Sequence, residues 1–338
     1  MTPTAYTRIA AVAAIAAAAL VAAQPAAAQW KPARPITIIV PWAAGGATDQ
    51  VTRVTAAELE GPLGAKIVIQ NQPGASGSIG KKNAAEAPKD GYTWTAGAPK
   101  QLGTYKLLGL YDTYVKDWHL FLTVVNVPIV SVNPNTAYKT FPDLLAALKA
   151  KPGQVSVATA GATSSGHLAM EAIAQAAGIT YRHVTYDGGN PAVIATVGGE
   201  TEVTTQLATE QSEMLRGKRL RPLAVVGPTG MEIGGVGAIE SVRKWVPNVA
   251  DVSTHFGIII PKGVPPEVIA TLEKVWADRI AGSAALKKYA ADRGALFAPS
   301  YGEAAQKAVW PTIQADAWML HAAGKLKMSP AEVGIPKP

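Results

Sequence analysis

Ile36-Thr-Ile-Ile-Val40, running into Pro41-Trp-Ala-Ala-Gly-Gly-Ala-Thr-Asp49, is the stretch on which the fold turns. A short β-branched run of this kind reads as a buried parallel strand. Pro41 ends it, Gly45-Gly46 mark a tight turn, and Val51, Val54, Thr55 and Leu59 then share one helical face. Working outward, Ile67-Val-Ile69 is a second strand. It is followed by the glycine-rich loop Pro73–Gly80, a helix through Glu86, the turn Asp90-Gly91 and the strand Tyr92–Thr95. A single strand is predicted over Val124–Val132. Thr140-Phe-Pro-Asp143 opens a helix with Thr140 as N-cap. Val155-Ser-Val157 leads through Gly161-Ala-Thr-Ser-Ser-Gly166 into a helix stopped by Gly178, and strands at Leu223–Val226 and Phe256–Ile260 and a helix at Pro266–Ile280 continue the alternation. Strand–loop–helix repetition with short connections defines an α/β chain.

The chain has 338 residues, 16% charged and 48% hydrophobic, enough for two packed lobes. Arg8, the apolar run Ile9–Ala23 and Pro25-Ala-Ala-Ala28 follow the order of a secretory signal, with cleavage expected after Ala28. That run is shorter than the roughly 20 residues a membrane span needs, so an exported, periplasmic product is expected. Cys is absent, which excludes disulfides, thiolate metal sites, a cysteine nucleophile and a lipid-modified cysteine anchor. The net charge of +7 is dispersed; its densest cluster, Arg216 to Arg221, has no interleaved aromatics, which argues against nucleic acid.

Three strand-to-helix junctions are built from small residues: Ala43–Asp49, Gly161–Gly166 and Tyr186–Asn190. In open α/β sheets ligands sit beyond the carboxyl ends of the strands, where free N–H groups and the helix dipole favour an anion. Each loop alone reads as a turn; three in one chain point to a binding cleft. Asp49 and Arg53 are four apart and suit a helix ion pair, and Asp187 before Gly-Gly suits a turn. His167 and Glu171 have the spacing of a two-ligand metal site, but no third ligand converges in the sequence, so neither metal nor cofactor is expected. Ser78-Ile-Gly-Lys81 matches S-x-x-K without the companion motifs of the serine acylases. No catalytic centre is supported, and an exported hydrolase using Ser76 or Ser78 with Lys81 is the weaker alternative.

The motifs Pro41–Asp49 with Arg53, Asn71-Gln-Pro-Gly-Ala-Ser-Gly-Ser-Ile-Gly80 and Asp90-Gly-Tyr-Thr93 resemble those of the Bug (TctC-like) solute receptors of tripartite tricarboxylate transporters. The likeness continues through His167-Leu-Ala, Val184–Ala192, Gly217–Ala224 and Pro261-Lys-Gly-Val-Pro265. It implies a type II, Venus-flytrap binding protein whose lobes are parallel-dominated sheets flanked by helices. Lobe one would comprise 30–130 plus 250–338, and lobe two, inserted, 131–249. It further implies that a carboxylate is held by the first loop (Trp42, Ala43, Ala44, Gly45, Ala47, Thr48) and by its lobe-two equivalent (Ala162, Thr163, Ser164, Ser165, Gly166). Tyr186 and Asp187 match the third binding loop, and Thr205 and Gln206 a strand end facing the cleft. The implied role is capture of an organic carboxylate by a monomer and delivery to membrane permease subunits. A dicarboxylate is favoured, aromatic ones such as terephthalate included. A sensor coupled to a membrane kinase would use the same cleft.

Overall fold

The computed structural model describes residues 30–338, so the expected leader 1–28 lies outside the described residues. The opening run forms β1 (Ile36–Val40), with four of its five residues buried. It is followed by α1 (Ala47–Leu63), β2 (Ile67–Asn71), α2 (Ser78–Glu86), β3 (Thr93–Gly97) and β4 (Trp118–Asn126). The chain then enters a second sheet through β5 (Ile129–Val132), α3 (Phe141–Ala150), β6 (Ser156–Thr159), α4 (Ser165–Ala177) and β7 (Arg182–Thr185). Next come α5 (Gly189–Gly198), β8 (Val203–Thr204), α6 (Ala208–Arg216) and β9 (Arg221–Val225). After the hairpin β10 (Met231–Ile233) and β11 (Gly237–Ile239) it returns along β12 (Thr254–Pro261). The remaining elements are α7 (Pro266–Val275), α8 (Ala284–Arg293), β13 (Ala295–Tyr301) and α9 (Gly302–Ala322).

The first sheet has the order β13-β4-β12-β3-β1-β2 and the second β7-β6-β8-β5-β9. The result is a two-lobed α/β fold, but the sheets are mixed rather than parallel-dominated. Parallel pairing is confined to β2-β1-β3 and β7-β6-β8, while β12, β13, β5 and β9 pair antiparallel. The cause is topological: β4 leaves one sheet and continues directly into the other, and β12 returns alongside it in the opposite sense. The single strand expected over Val124–Val132 is accordingly two. Pro128 offers no N–H to a ladder, and the break at Val127-Pro128 lets the two halves join different sheets.

Ile36, Ile38, Val40, Trp94, Phe121 and Trp276 form the core of the first lobe. Val130, Phe141, Leu144, Val157, Leu168 and Ile173 form that of the second. Helix α9 belongs to both: Val309, Ile313 and Ala317 pack under the first sheet, and Met319 and Leu320 reach the second core. Lys100 and Asp316, both fully buried, make an ion pair of 3.0 Å beneath this helix, and Lys100 also donates to the Val252 carbonyl.

Candidate functional site

Between β1 and α1 the backbone turns through Gly45 at φ +80°, a conformation that glycine adopts without steric cost. The helix starts at Ala47, with Gly46 as its N-cap, so Thr48 lies inside the first turn instead of capping it. Asp49, in the same turn, ties the helix to the loop before it and to the end of β2. Its carboxylate accepts from Gly45 N (3.0 Å), from Arg53 Nε and Nη2 (2.9 Å each) and from Asn71 Nδ2 (3.0 Å). Burial opposes ionisation of Asp49, yet these bonds hold its carboxyl below the ordinary range. The Asp49–Arg53 pair is therefore structural, as its spacing suggests.

The lobe-two junction turns through Gly161 at φ +106°. Ser164 caps α4, its hydroxyl accepting from His167 N (3.1 Å). Among the described residues, the backbone N–H groups of Ser165 and Gly166 have no protein acceptor. The two junctions meet. Trp42, Ala47, Thr48, Ser164, Ser165 and Gln206 line one small, half-open pocket of about 30 Å³ between the lobes, together with Gln101, Gly189, Glu210 and Phe256. Trp42 also walls a wider cleft of about 680 Å³, where Ala162, Tyr186, Asp187 and Ser76 are found. Neither lining includes Lys, Arg or His.

The other expected residues stand behind or beside these walls. Ala43 N donates to the Asp187 carbonyl (3.0 Å), tying the two lobes, and Ala44 is exposed at the rim. Gly45 packs on Asn190, and Gly166 on the Gln206 side chain. Thr163 donates to Ser76 O (2.7 Å), and Thr205 Oγ1 donates to Gly166 O (2.6 Å), bracing α4 from outside the cavity. Tyr186 turns its hydroxyl to Glu200 (2.8 Å), and burial, with that carboxylate beside it, raises its pKa to about 12.

Ser76 and Glu210 are not among the binding residues expected from the sequence. Ser76 accepts from Ala162 N at 3.0 Å and so latches the first lobe to the second. Glu210, in the first turn of α6, reaches across to accept from Ala47 N at the start of α1 (2.9 Å), while its other oxygen accepts from Leu207 N (3.1 Å). Gln206, with its carbonyl on Ala160 N (2.7 Å), donates to the same oxygen at 3.1 Å. Burial pushes Glu210 up to about 7 against the pull of its two backbone bonds. A Glu three residues past a helix N-cap is a legible capping signal; its reach to the other lobe is not. The S-x-x-K pair is not a catalytic dyad, because Ser78 donates to Ala75 O (2.9 Å) and buried Lys81 to Ala96 O (3.3 Å).

His167 and Glu171 are more than ordinary polar helix residues. His167 stacks on His183 (4.3 Å between centroids), and Glu171 accepts from Tyr181 (2.5 Å) and pairs with Lys325 (2.6 Å). No group of three or more metal-ligating side chains occurs among the described residues.

Two α/β lobes joined by crossing strands, with helix N-termini and small polar side chains between them, are the arrangement of a solute receptor. The chain belongs to the tripartite tricarboxylate transporter receptor family, TctC, whose model matches residues 51–310. It is 31% identical over 299 residues to protein BugT of Bordetella pertussis, covering 84% of this chain and 88% of that one. Among solved structures, the periplasmic binding protein BugD superposes with a TM-score of 0.79 at 23% identity, covering 88% of this chain and all 100% of its own. An R. palustris protein solved with adipate gives 0.77 at 25% identity, covering 87% and 98%. This is a family of solute-binding proteins and not of enzymes.

Proposed function

We propose that this chain is an exported periplasmic receptor that takes a small organic carboxylate between its lobes and presents it to the permease subunits of a tripartite tricarboxylate transporter. Lobe one comprises 30–128 with 250–338, and lobe two 129–249, two residues earlier than the sequence suggests because β5 starts at Ile129 in the second sheet. The observation that carries the reading is the convergence of two helix N-termini, those of α1 and α4, from different sheets on one small pocket between the lobes. Such termini present N–H groups and positive dipole ends to an anion without a cationic side chain. Closure adds the second set of donors and removes water, so the bound state selects the closed form. The adipate complex of the R. palustris relative supports a carboxylate as the ligand.

A thermal-shift screen of aliphatic and aromatic carboxylates tests this, since a ligand that binds only the native state must raise Tm. At least one is expected to do so with saturation; a flat response across the panel would remove the reading. Export is checked by N-terminal sequencing of protein recovered from a Gram-negative periplasm, expected to begin at Gln29.

A further inference from the structure

The two anion-binding helix ends in this cleft are not equivalent. At α4 the Ser165 N–H has no protein acceptor, and Ser165 lines the cavity. At α1 the Ala47 N–H is already taken, at 2.9 Å, by the carboxylate of Glu210. That carboxylate is half-buried and accepts from Ala47, Leu207 and Gln206. The site is built to receive it. A Cβ on Gly189 would lie 1.9 Å from Glu210 Oε1, and one on Gly46 3.3 Å from the same atom. Only glycine at 189 leaves the space that the carboxylate fills. A carboxylate has about four acceptor directions, and three donors account for three of them.

Resting on the receptor reading above, we propose that Glu210 is the residue that sets ligand charge. It occupies the Ala47 N–H of the lobe-one helix end and sets a negative charge beside the neighbouring Thr48, so the cleft takes a carboxylate at α4 and an ammonium at Glu210. The preferred ligand class is then an amino acid whose amine and carboxylate lie at opposite ends, not a dicarboxylate. Three features of the walls agree. The cavity and the adjoining cleft hold two acidic side chains, Glu210 within and Asp187 at the mouth, and no basic one. A second ligand carboxylate at α1 would meet the Glu210 carboxylate at close range, where like charges repel. An ammonium there supplies the donor for the remaining acceptor direction and compensates a charge that otherwise has only neutral N–H partners.

The experiment compares matched ligands by calorimetry at pH 8: glutarate with 4-aminobutyrate, adipate with 6-aminohexanoate, and terephthalate with 4-(aminomethyl)benzoate. In the pairs that bind, the wild-type protein is expected to hold the amino acid at least tenfold more tightly, about 1.4 kcal/mol. Glu210→Gln, which keeps the volume and removes the charge, is expected to abolish or invert that preference. Tighter binding of the dicarboxylate by wild type, or a preference unchanged in Glu210→Gln, would overturn the proposal. If the variant does not fold, the wild-type ranking alone decides it. If none of the six binds while other carboxylates do, the charge assignment fails and the receptor reading stands. If no carboxylate binds at all, the receptor reading itself fails.

Discussion

Gly189 and Glu210 form the most informative pair at the scale of single residues, because sterics and helix propensity predict opposite signs for one substitution. Position 189 is the first residue of α5, where alanine would ordinarily stabilise the helix relative to glycine by up to about 1 kcal/mol. Its Cβ would instead collide with the Glu210 carboxylate. Gly189→Ala is therefore expected to lower stability by about 1–3 kcal/mol, the usual range for overpacking. The double variant Gly189→Ala/Glu210→Ala is expected to recover most of it. Urea midpoints of the two variants check this, and an unchanged or raised midpoint in Gly189→Ala would place the carboxylate elsewhere. The Asp49–Arg53 pair was legible from spacing alone, because both partners lie on one helix. Glu210 was not, since its partner Ala47 is 163 residues away on another lobe.

At the scale of elements, α4 joins the Gly161–Ser164 junction to the far end of α9. His167 Nδ1 lies 2.9 Å from the Ala162 carbonyl in that loop, its ring stacks on His183, and Glu171 one turn on pairs with Lys325 just beyond α9. Burial, with the charges around it, holds His183 down to about 3. Burial would raise Glu171, but its bonds to His167, Lys325 and Tyr181 prevail and hold it at about 2. Both shifts are downward, so the unfolded chain binds more protons than the folded one. The His183 contribution is in place above about pH 6.5 and is lost as pH falls from there towards 3. The Glu171 contribution is lost lower, between about 4.5 and 2. Glu210, held up at about 7, acts in the opposite sense between pH 7 and 4.5, so the His183 contribution is read by difference: the Tm of wild type is expected to fall relative to that of His183→Gln as the pH drops from 7 to 4. A Tm difference between the two proteins that is independent of pH over this range would contradict the arrangement. The His167–Glu171 spacing was visible in the sequence, whereas the stack on His183 depends on β7 lying beside β6. Helix and strand positions were largely readable, because their apolar periodicity is local. The division of Val124–Val132 and the mixed sheets were not, because they follow from where the chain crosses between lobes.

At the scale of the molecule, α9 and the β4–β5 crossing hold two cores in one frame around the cleft. The Lys100–Asp316 pair lies beneath α9 on the first-lobe side. Removing one partner of a buried pair strands the other, at a cost of about 3–5 kcal/mol. Asp316→Ala is expected to show a loss of that order in chemical denaturation, and Asp316→Ala/Lys100→Met a smaller one. The central claim, that ligand carboxylate is held by backbone N–H groups at the start of α4, is tested most directly by Ser165→Pro. Proline is tolerated at the first helical position, and Ser164 already has the extended backbone that proline requires before it. The substitution removes one donating N–H while keeping the helix. Calorimetric titration with the carboxylate that gives the largest thermal shift is expected to show one site per chain in the wild type and at least tenfold weaker binding in Ser165→Pro. Equal affinity in the two proteins, with the variant folded, would contradict it.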